Sequence, residues 1–373
     1  MLVTRIRVLG FRNLRAQEVE LGPRITLLWG PNGAGKTNLL EALYVGLAGR
    51  SCRTRNDRET IAFDEPMARV EVEVSRESAE THVFLWSFAR DGDRRYLVDG
   101  VTMTPNQRDR RPPLAVFLPD RLSLVKGPPQ GRRSHVDRLV AALWPSRVDA
   151  RRRYGRALAQ RNALIGRVRR GLAPLDSLDA WDLELAGAGF DLMEARHDAI
   201  GLLTPEFVAA ARELGLAGEG SLRYAPRSAA TSRDELAGEL GERRTGDVER
   251  GYSGHGPHLD DLELALDGRS VRRYGSQGEQ RAALLALLFA ERRALLEARR
   301  TPPLMLLDDV MSELDPDRRD LLARRLAEGD GQALMTATEP GQVPAAWDRT
   351  EFGVAGGGLE RSAAPPPRPA LAA

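Results

Sequence analysis

The stretch Gly30-Pro31-Asn32-Gly33-Ala34-Gly35-Lys36-Thr37 decides the fold, because it matches the phosphate-loop pattern of two glycines followed by Lys and Thr. An apolar run of strand length at 25–29 precedes it, and a helical pattern begins at 38–44. Strand, glycine-rich turn and helix in this order let backbone N–H groups and a helix N-terminus converge on a phosphate. The pattern predicts a nucleotide-binding unit.

Two side chains of this loop have expected roles. Lys36 would reach the β- and γ-phosphates, and Thr37 would offer its hydroxyl to Mg²⁺. The composition supports this interpretation, because only Lys36 and Lys126 among the 55 basic residues are lysines. One of the two therefore stands where a compact ammonium group is needed and a planar guanidinium would fit badly.

Length and composition set broad limits. The 373 residues allow one large domain with an insertion, or two to three domains. With 42% hydrophobic and 29% charged residues the chain is of globular type, and no run of eighteen apolar residues could span a membrane. Residues 1–7 alternate as in a strand and not as in an export signal, and the single Cys52 excludes an internal disulfide. We expect a soluble, cytoplasmic protein.

Basic residues are concentrated in one region. Residues 101–175 contain 17 Arg or Lys against four Asp, although the net charge of the whole chain is +2. A helix predicted at 148–172 has an apolar face, interrupted by Arg161, and an opposite face with Arg152, Arg156, Arg167 and Arg170. That arginine stripe extends over about 27 Å at about 1.5 Å per residue. It suits the phosphates of DNA, and a solvated surface remains the alternative.

The remaining pattern predicts four segments. Residues 1–118 form the N-terminal part of a nucleotide-binding head, with antiparallel strands over 68–103 and a buried strand at 114–118. Residues 119–250 form a mainly helical insertion, with helices at 180–200 and 205–214 and a loop-rich stretch at 225–250. Residues 251–355 complete the head, and the Gly- and Pro-rich tail at 356–373 is expected to be disordered.

A second cluster of motifs lies in the C-terminal part. Residues 254–261 contain two histidines and two aspartates, but their Gly-Pro spacing indicates a turn before a strand and not a metal site. Residues 274–281 open a long apolar helix whose N-terminus could hold a phosphate. An apolar strand at 303–307 ends in Asp308 and Asp309; one acid would hold Mg²⁺ and the other would orient the attacking water.

Together these motifs resemble the ABC-type ATPase heads of chromosome-maintenance and repair proteins, and within them the RecF family. The motifs that carry the resemblance span most of the chain: Gly10-Phe11-Arg12-Asn13, the phosphate loop, 124–128 with Arg132-Arg133, Gly256-Pro257-His258 with Asp260-Asp261, Gly275-Ser276-Gln277-Gly278, and Leu306-Leu307-Asp308-Asp309. The resemblance implies an α/β fold of the ABC-type P-loop ATPase head, with a mixed sheet, additional antiparallel strands and an inserted, mainly helical lobe.

The resemblance also implies a function. ATP with Mg²⁺ would close a head-to-tail homodimer, in which the signature residues Ser276, Gln277, Gly278 and Glu279 of one copy complete the site formed by the phosphate loop, Arg12 and Asn13 of the other. Lys126, at the position of the glutamine loop, would couple the nucleotide to the basic arm and belong to the DNA-binding residues. RecF-like proteins act with RecO and RecR to direct recombinase to gapped or junction DNA, in replication, repair and the SOS response.

Two departures from the ABC pattern predict slow ATP hydrolysis, which we expect DNA to stimulate. The catalytic position holds Asp309 and not Glu, and no histidine occurs near 336–338, where many heads keep a switch histidine. Three alternatives compete with this interpretation. They are an ABC transporter ATPase subunit, a P-loop kinase, which would have no use for the Ser276 helix, and a DNA-binding scaffold in which ATP is structural.

Overall fold

The computed structural model describes residues 1–76, 80–103, 111–118, 122–216, 218–327, 331–343 and 349–362. The chain divides into two compact units. We call the first, Met1–Arg121 with Leu295–Ala373, the head unit, and the second, Leu122–Ala294, the lobe unit.

Most of the described strands belong to the head unit, and three of them, the ninth to the eleventh in chain order, belong to the lobe unit. In chain order they are β1 (Leu2–Leu9), β2 (Gln17–Glu20), β3 (Ile25–Trp29), β4 (Met67–Ser75), β5 (Thr81–Ala89), β6 (Arg94–Val98), β7 (Val101–Thr102), β8 (Leu114–Phe117), β9 (Gly220–Ala225), β10 (Asp261–Leu266), β11 (Arg269–Ser270), β12 (Leu304–Leu307), β13 (Ala333–Ala337), β14 (Arg349–Ala355) and β15 (Gly358–Ser362).

The α-helices are concentrated in the lobe unit. They are α1 (Lys36–Ala48), α2 (Leu122–Lys126), α3 (Pro129–Leu143), α4 (Ala150–Arg169), α5 (Asp179–Glu213), α6 (Arg233–Glu242), α7 (Arg244–Arg250), α8 (Val271–Tyr274), α9 (Gln277–Arg299) and α10 (Pro316–Ala327). No described helix is both long and apolar enough to cross a membrane.

The head unit contains two six-stranded sheets. The first is antiparallel, in the order β2-β1-β4-β5-β6-β7, which confirms the meander predicted for 68–103. The second has the order β15-β14-β3-β13-β12-β8, and all its neighbours are parallel except β14 with β15. Because β3, β12 and β13 run in the same direction, the residues that follow them meet at one edge of the sheet. That edge carries the phosphate loop and the two aspartates.

Helix α1 packs in the core of the head unit. Leu39, Leu40 and Leu43 are fully buried among the valines of β4. The approach is closest at Gly46, where an added Cβ would lie 2.5 Å from a methyl group of Val72. Only glycine fits this contact, so the helix that starts at the phosphate loop is held firmly against the antiparallel sheet.

The lobe unit has a helical core formed by α4, α5 and α6, beside a three-stranded sheet in the order β11-β10-β9. The separate helices predicted at 180–200 and 205–214 were wrong, since α5 continues through Pro205. Proline removes one backbone donor from the helix. The hydroxyl of the preceding Thr204 donates to the Ile200 carbonyl at 2.8 Å, so a side chain supplies a hydrogen bond in the interrupted turn.

The loop-rich interpretation of 225–250 was also wrong, because α6 and α7 occupy most of it. An N-cap explains the start of α6: Ser232 Oγ accepts a 3.1 Å hydrogen bond from the Glu235 amide, and Glu235 Oε2 accepts one of 2.7 Å from the Thr231 amide. The Ser-x-x-Glu pattern of a helix start is present in the sequence at 232–235. The many polar and Gly residues of the stretch nevertheless favoured the prediction of a loop. Nearby, β9 pairs with β10 in full register.

The structure differs from the predicted segments at two boundaries, the end of the insertion at 250 and the start of the tail at 356. The lobe unit continues to Ala294, beyond the insertion expected to end at 250, because β10 completes the sheet with β9. The tail at 356–373 was expected to be disordered from its start, and this was wrong for its first part. The glycines at 356 and 357 form the turn between β14 and β15. The remainder, 363–373, and the boundary at 118–119 fall at or beyond the limits of the described residues.

Candidate active site

The phosphate loop joins β3 to α1 and has backbone angles that require glycine. Gly33 and Gly35 have φ values of 79° and 117°, and nothing lies within 4 Å of a Cβ added at Gly33. The loop therefore presents open space lined by backbone, as a bound phosphate requires. Lys36 Nζ donates to the carbonyls of Gly30, at 2.6 Å, and Pro31, at 2.9 Å.

The Lys36 ammonium group is held close to the loop and is mostly shielded from solvent. Burial lowers its pKa, and the nearby carboxylates Asp309 and Asp308 oppose that shift. An added anion would favour the charged form of the side chain in the same way. The site is thus prepared to gain from a phosphate, which would replace two carbonyl acceptors with a charged one.

Asp308 follows β12 and connects three elements of the head unit. Its carboxylate accepts hydrogen bonds from Thr37 Oγ1, at 2.8 and 3.0 Å, and from Thr336 Oγ1, at 2.7 Å. Burial raises the pKa of Asp308. The Thr37 hydroxyl and a carboxylate are hard oxygen donors of the type that Mg²⁺ prefers. The residue types and their closeness fit the predicted magnesium site.

Asp309 has an unusual backbone, with φ 48° and ψ 28° in the left-handed region. Its amide donates to Thr336 Oγ1 at 2.8 Å, which fixes this conformation. Its Oδ1 is buried and has no hydrogen-bond partner among the described residues. A buried carboxylate oxygen without a donor fits a role in binding a water molecule or a metal-bound ligand.

Thr336, at the end of β13, was not predicted as a site residue. One hydroxyl connects both aspartates, because it donates to Asp308 and accepts from the Asp309 amide. The sequence offered one indication of this role. Thr336 is a polar residue within an apolar strand, in the region 336–338 where many ABC heads have a histidine. The absence of a histidine can be read from the sequence, but the contacts of Thr336 with both aspartates are visible only in the structure.

The predicted pair Arg12 and Asn13 has two different environments. Asn13 Nδ2 donates to the Gly33 carbonyl at 2.9 Å, which places it on the phosphate loop. Arg12 forms a two-bond ion pair with the fully buried Glu41 of α1, at 3.0 and 3.1 Å. Arg53, which the sequence did not predict as a site residue, shares Glu41 at 3.0 Å. Two arginines thus compensate one buried carboxylate beside the loop.

The predicted signature residues lie at the N-terminus of α9, which belongs to the lobe unit. Ser276 is exposed and forms a capping box with Glu279: the Ser276 amide donates to Glu279 Oε2 at 2.7 Å, and the Glu279 amide donates to Ser276 Oγ at 3.2 Å. Gln277 and Gly278 are exposed in the first turn. The capping box uses the amides of Ser276 and Glu279, and the amides of Gln277 and Gly278, in the first turn, have no acceptor within the helix and can face an anion.

Known proteins of one family are similar to this chain over nearly its whole length. The model of the RecF/RecN/SMC N terminal domain matches residues 2–355. A protein from Heliobacterium modesticaldum, named DNA replication and repair protein RecF, is 35% identical, with 91% of this chain and 92% of the relative covered. The chain belongs to the RecF family.

Further comparisons support the family and the fold. A RecF from Anaeromyxobacter dehalogenans is 38% identical, with 94% of this chain and 96% of the relative covered. A solved structure described as the recombination mediator protein RecF-ATP in the RecFOR pathway has a TM-score of 0.86 at 26% identity and covers 97% of this chain and 98% of its own. An SMC head, at a TM-score of 0.57 and 15% identity, covers 97% of each chain and shares the fold. The predicted ABC-type α/β ATPase head is confirmed.

In this RecF-family chain, three of the four predicted DNA-binding arginines lie on the surface of α4, and the fourth directly follows the helix. Arg152, Arg156, Arg167 and Arg170 are all exposed. Arg152 pairs with Asp149 at 2.8 Å, whereas Arg156 and Arg167 form no ion pair within the described residues. The helix ends at Arg169, earlier than predicted, so Arg170 and the exposed Leu172 follow it. Lys126 is exposed at the end of α2.

Arg161, which interrupts the apolar face of α4, is fully buried. It pairs with Asp182 at 2.6 Å and with Asp247 at 2.7 Å, and it also donates to Ser253 Oγ. It thereby connects α4, α5 and α7 to the segment that contains the Gly-Pro-His motif. Arg161 therefore interrupts the apolar pattern of α4 because it forms buried ion pairs with two other helices.

The histidines of the Gly-Pro-His region are held by protein groups. Tyr154 Oη lies 2.6 Å from His258 Nδ1, and His258 Nε2 lies 3.0 Å from the Ser253 carbonyl. His255 Nε2 lies 2.5 Å from Glu239. Among the described residues, no group of three or more His, Cys, Asp or Glu side chains could hold a metal ion. These contacts give the motif a structural role in the lobe.

Proposed function

We propose that this chain is an ATP-dependent DNA-binding repair protein that forms a dimer when it binds ATP. It would bind gapped or junction DNA and help to load recombinase through RecO- and RecR-type partners in the cytoplasm. The observation that carries the proposal is the meeting of Lys36, Thr37, Asp308 and Asp309 at one edge of the parallel sheet. The family relationship supports the repair role, and the similarity to a RecF-ATP structure described as a mediator in the RecFOR pathway supports the partners.

Each residue of the head site has a proposed task. The loop amides and Lys36 bind the β- and γ-phosphates, and Asn13 holds the loop in shape through Gly33. Thr37 and Asp308 would hold Mg²⁺, which would neutralise charge on the phosphates. Asp309 orients the attacking water and accepts its proton, and Thr336 keeps both aspartates in position.

The second half of the site is proposed to come from another copy. The exposed Ser276 and the N-terminus of α9 suit the γ-phosphate, because the hydroxyl and the free amides of the first turn can donate to it. ATP bound to the phosphate loop of one copy would thus be shared with Ser276 of the second copy. Hydrolysis removes the shared group and releases the dimer.

We propose slow hydrolysis that DNA stimulates. Asp309 is one methylene shorter than glutamate, and its backbone is fixed by Thr336, so its carboxylate has little freedom to approach a water molecule. Slow turnover would make ATP a timer for the DNA-bound dimer. A kcat comparable with that of motor ATPases in the presence of DNA would contradict this part of the proposal.

The test is the Lys36→Met variant, compared with wild type for ATP binding, dimerisation and affinity for gapped DNA at one salt concentration. We expect loss of ATP binding and of ATP-dependent DNA affinity, with an unchanged Tm in the absence of nucleotide. Arg95→Met is the matched control, because Arg95 is exposed in a surface pair with Asp93. If Lys36→Met keeps wild-type dimerisation and DNA affinity, ATP is structural or irrelevant and the proposal is wrong.

A further inference from the structure

Phe63 is the most exposed large hydrophobic side chain described in the head unit, at 98% exposure. It lies on a turn between the stretch at 57–60 and β4, and this turn is firmly held. The Arg90 guanidinium donates to the carbonyls of Ala62, at 3.0 Å, of Glu65, at 2.8 Å, and of Phe63. Because the backbone of the turn is already held, burial of the ring by a partner would cost the freedom of the side chain but not that of the loop.

The turn is attached to the segment that borders the nucleotide site. The Ala62 amide donates to the Gly10 carbonyl at 2.8 Å, and the Arg12 amide donates to the Thr60 carbonyl at 2.7 Å. The next residue, Asn13, contacts the phosphate loop at Gly33. The Phe63 turn is therefore hydrogen-bonded to the same short segment that contacts the phosphate loop.

The turn also carries negative charge. Asp64 and Glu65 directly follow Phe63, both are exposed, and neither forms an ion pair within the described part of the chain. An aromatic ring beside two free carboxylates repels nucleic acid and suits an apolar pocket with a basic rim. The surface is thus adapted to a protein and not to DNA.

The lobe unit contains a cavity with apolar and basic lining, in which the two acids, Asp261 and Glu263, are already paired with Arg132 and Arg223. We call it the β10 cavity; it measures about 690 Å³. Its apolar lining includes Val125, Leu262, Leu264 and Tyr274, and its rim includes Arg269, Arg272 and Arg273. These three arginines are exposed and form no ion pair within the described residues, although Arg272 Nε donates to the Lys126 carbonyl at 3.2 Å.

The β10 cavity adjoins the signature end of α9. Tyr274, in its wall, precedes Ser276 by two residues, and α8 leads directly into the capping box of α9. A molecule that binds at Ser276 would therefore also lie close to this cavity. In the dimer proposed above, that neighbour is the phosphate-loop side of a second copy.

We propose that Phe63 of one copy inserts into the β10 cavity of a second copy, with Asp64 and Glu65 facing Arg272 and Arg273. The inference rests on the proposed ATP-dependent dimer and adds a contact outside the nucleotide. In a twofold dimer the contact occurs twice, since each copy presents both the Phe63 turn and the cavity. The contact contributes affinity through the buried ring and selects a second copy of this chain through charge.

Sedimentation equilibrium at saturating ATP and Mg²⁺ tests this contact, with Asp309→Asn as background to prevent turnover. We expect Phe63→Ala to weaken dimerisation by about tenfold or more, as for a central aromatic anchor. Val101→Ala is the matched control, because Val101 is also an exposed hydrophobic residue of the head unit, at 60% exposure. ATP binding measured at a protein concentration that keeps the chain monomeric should be equal in all variants.

Charge reversal provides a second and independent measurement. Asp64→Arg with Glu65→Arg should weaken the dimer, and so should Arg272→Glu with Arg273→Glu, whereas the combination of all four should restore it. Equal dimerisation of wild type and Phe63→Ala, or failure of the combined variant to recover, would overturn the inference and leave the proposed function intact. A wild-type chain that stays monomeric at saturating ATP would contradict the proposed function itself.

Discussion

The Thr37 hydroxyl donates a 2.8 Å hydrogen bond to Asp308 Oδ1. This single bond joins the first residues of α1 to the carboxyl end of β12, which are 271 residues apart in sequence. The two partners are also the oxygen donors that we propose for Mg²⁺. The fold therefore brings together the two oxygen donors of the proposed Mg²⁺ site.

Replacement of Asp308 by Asn should separate folding from metal-dependent ATP binding. The amide can keep one acceptor oxygen for Thr37 or Thr336 but lacks the charge that Mg²⁺ requires. We expect ATP hydrolysis to fall by about 100-fold or more, since a catalytic metal contributes several kcal/mol to transition-state stabilisation. Phosphate release and the rise in Tm caused by Mg²⁺ with ATP are the measurements. Asp317→Asn, an exposed acid at the start of α10, is the control.

The site in the head unit was largely predictable, for a physical reason. A phosphate loop needs glycine at fixed positions, and an apolar strand ending in acids is uncommon, so Lys36, Thr37, Asp308 and Asp309 stand out in the sequence. Thr336, Glu41 and Arg53 did not, because their roles depend on side chains far away in sequence. A threonine in a strand has no local signal that distinguishes an organiser of carboxylates from an ordinary β-branched residue.

The lobe was less predictable. Arg161 broke the apolar pattern of α4, and only the tertiary structure shows Asp182 and Asp247 around it. Pro205 indicated a helix end, but packing of the long α5 in the lobe core outweighs the loss of one backbone donor. Helix propensity is a local property of the sequence, so it does not include the free energy of these ion pairs or of the packing of α5.

The buried Arg161 cluster should be a major contributor to the stability of the lobe. Arg161→Met leaves the buried carboxylates of Asp182 and Asp247 without their shared partner, and removal of one member of a buried ion cluster costs about 3–5 kcal/mol. We expect Arg152→Ala, which breaks an exposed pair, to cost about 0–1 kcal/mol. Urea unfolding at pH 7 measures both. Equal midpoints for the two variants would show that the buried cluster contributes no more than a surface pair.

The His258 ring predicts a pH dependence of lobe stability. Burial lowers the pKa of folded His258 below its ordinary value of about 6.5. Between the two pKa values the unfolded chain binds more protons than the folded chain, so stability falls as the pH drops below about 6.5 and is unaffected by this group above it.

Substitution of His258 isolates this contribution. His258→Gln keeps a group that can bond Tyr154 and Ser253 but removes the titration, so the difference in Tm between pH 8 and pH 5 should become smaller. His197→Gln, at an exposed position on α5, should keep the wild-type difference. An identical pH profile for wild type and His258→Gln would refute the assignment.

The arginine stripe predicts how DNA binding depends on salt. If Arg152, Arg156, Arg167 and Arg170 contact phosphates, replacing all four by Gln should reduce the slope of log affinity against log salt by about 0.9 for each lost contact. Four exposed arginines that already have carboxylate partners, Arg7, Arg69, Arg95 and Arg223, form the control set for the same replacement. Titrations of fluorescent gapped DNA at several salt concentrations measure the slope. A slope unchanged in the stripe variant would place the DNA elsewhere.

The particle mass with and without ATP tests the central claim most directly. Sedimentation equilibrium of wild type should give the mass of one chain without nucleotide and twice that mass with ATP and Mg²⁺. Ser276→Arg should remain monomeric in both conditions, because the larger side chain fills the place of the γ-phosphate, whereas Ser221→Arg, an exposed serine on β9, should behave as wild type. A wild-type mass that stays at one chain, or a Ser276→Arg variant that dimerises normally with ATP, would contradict the account.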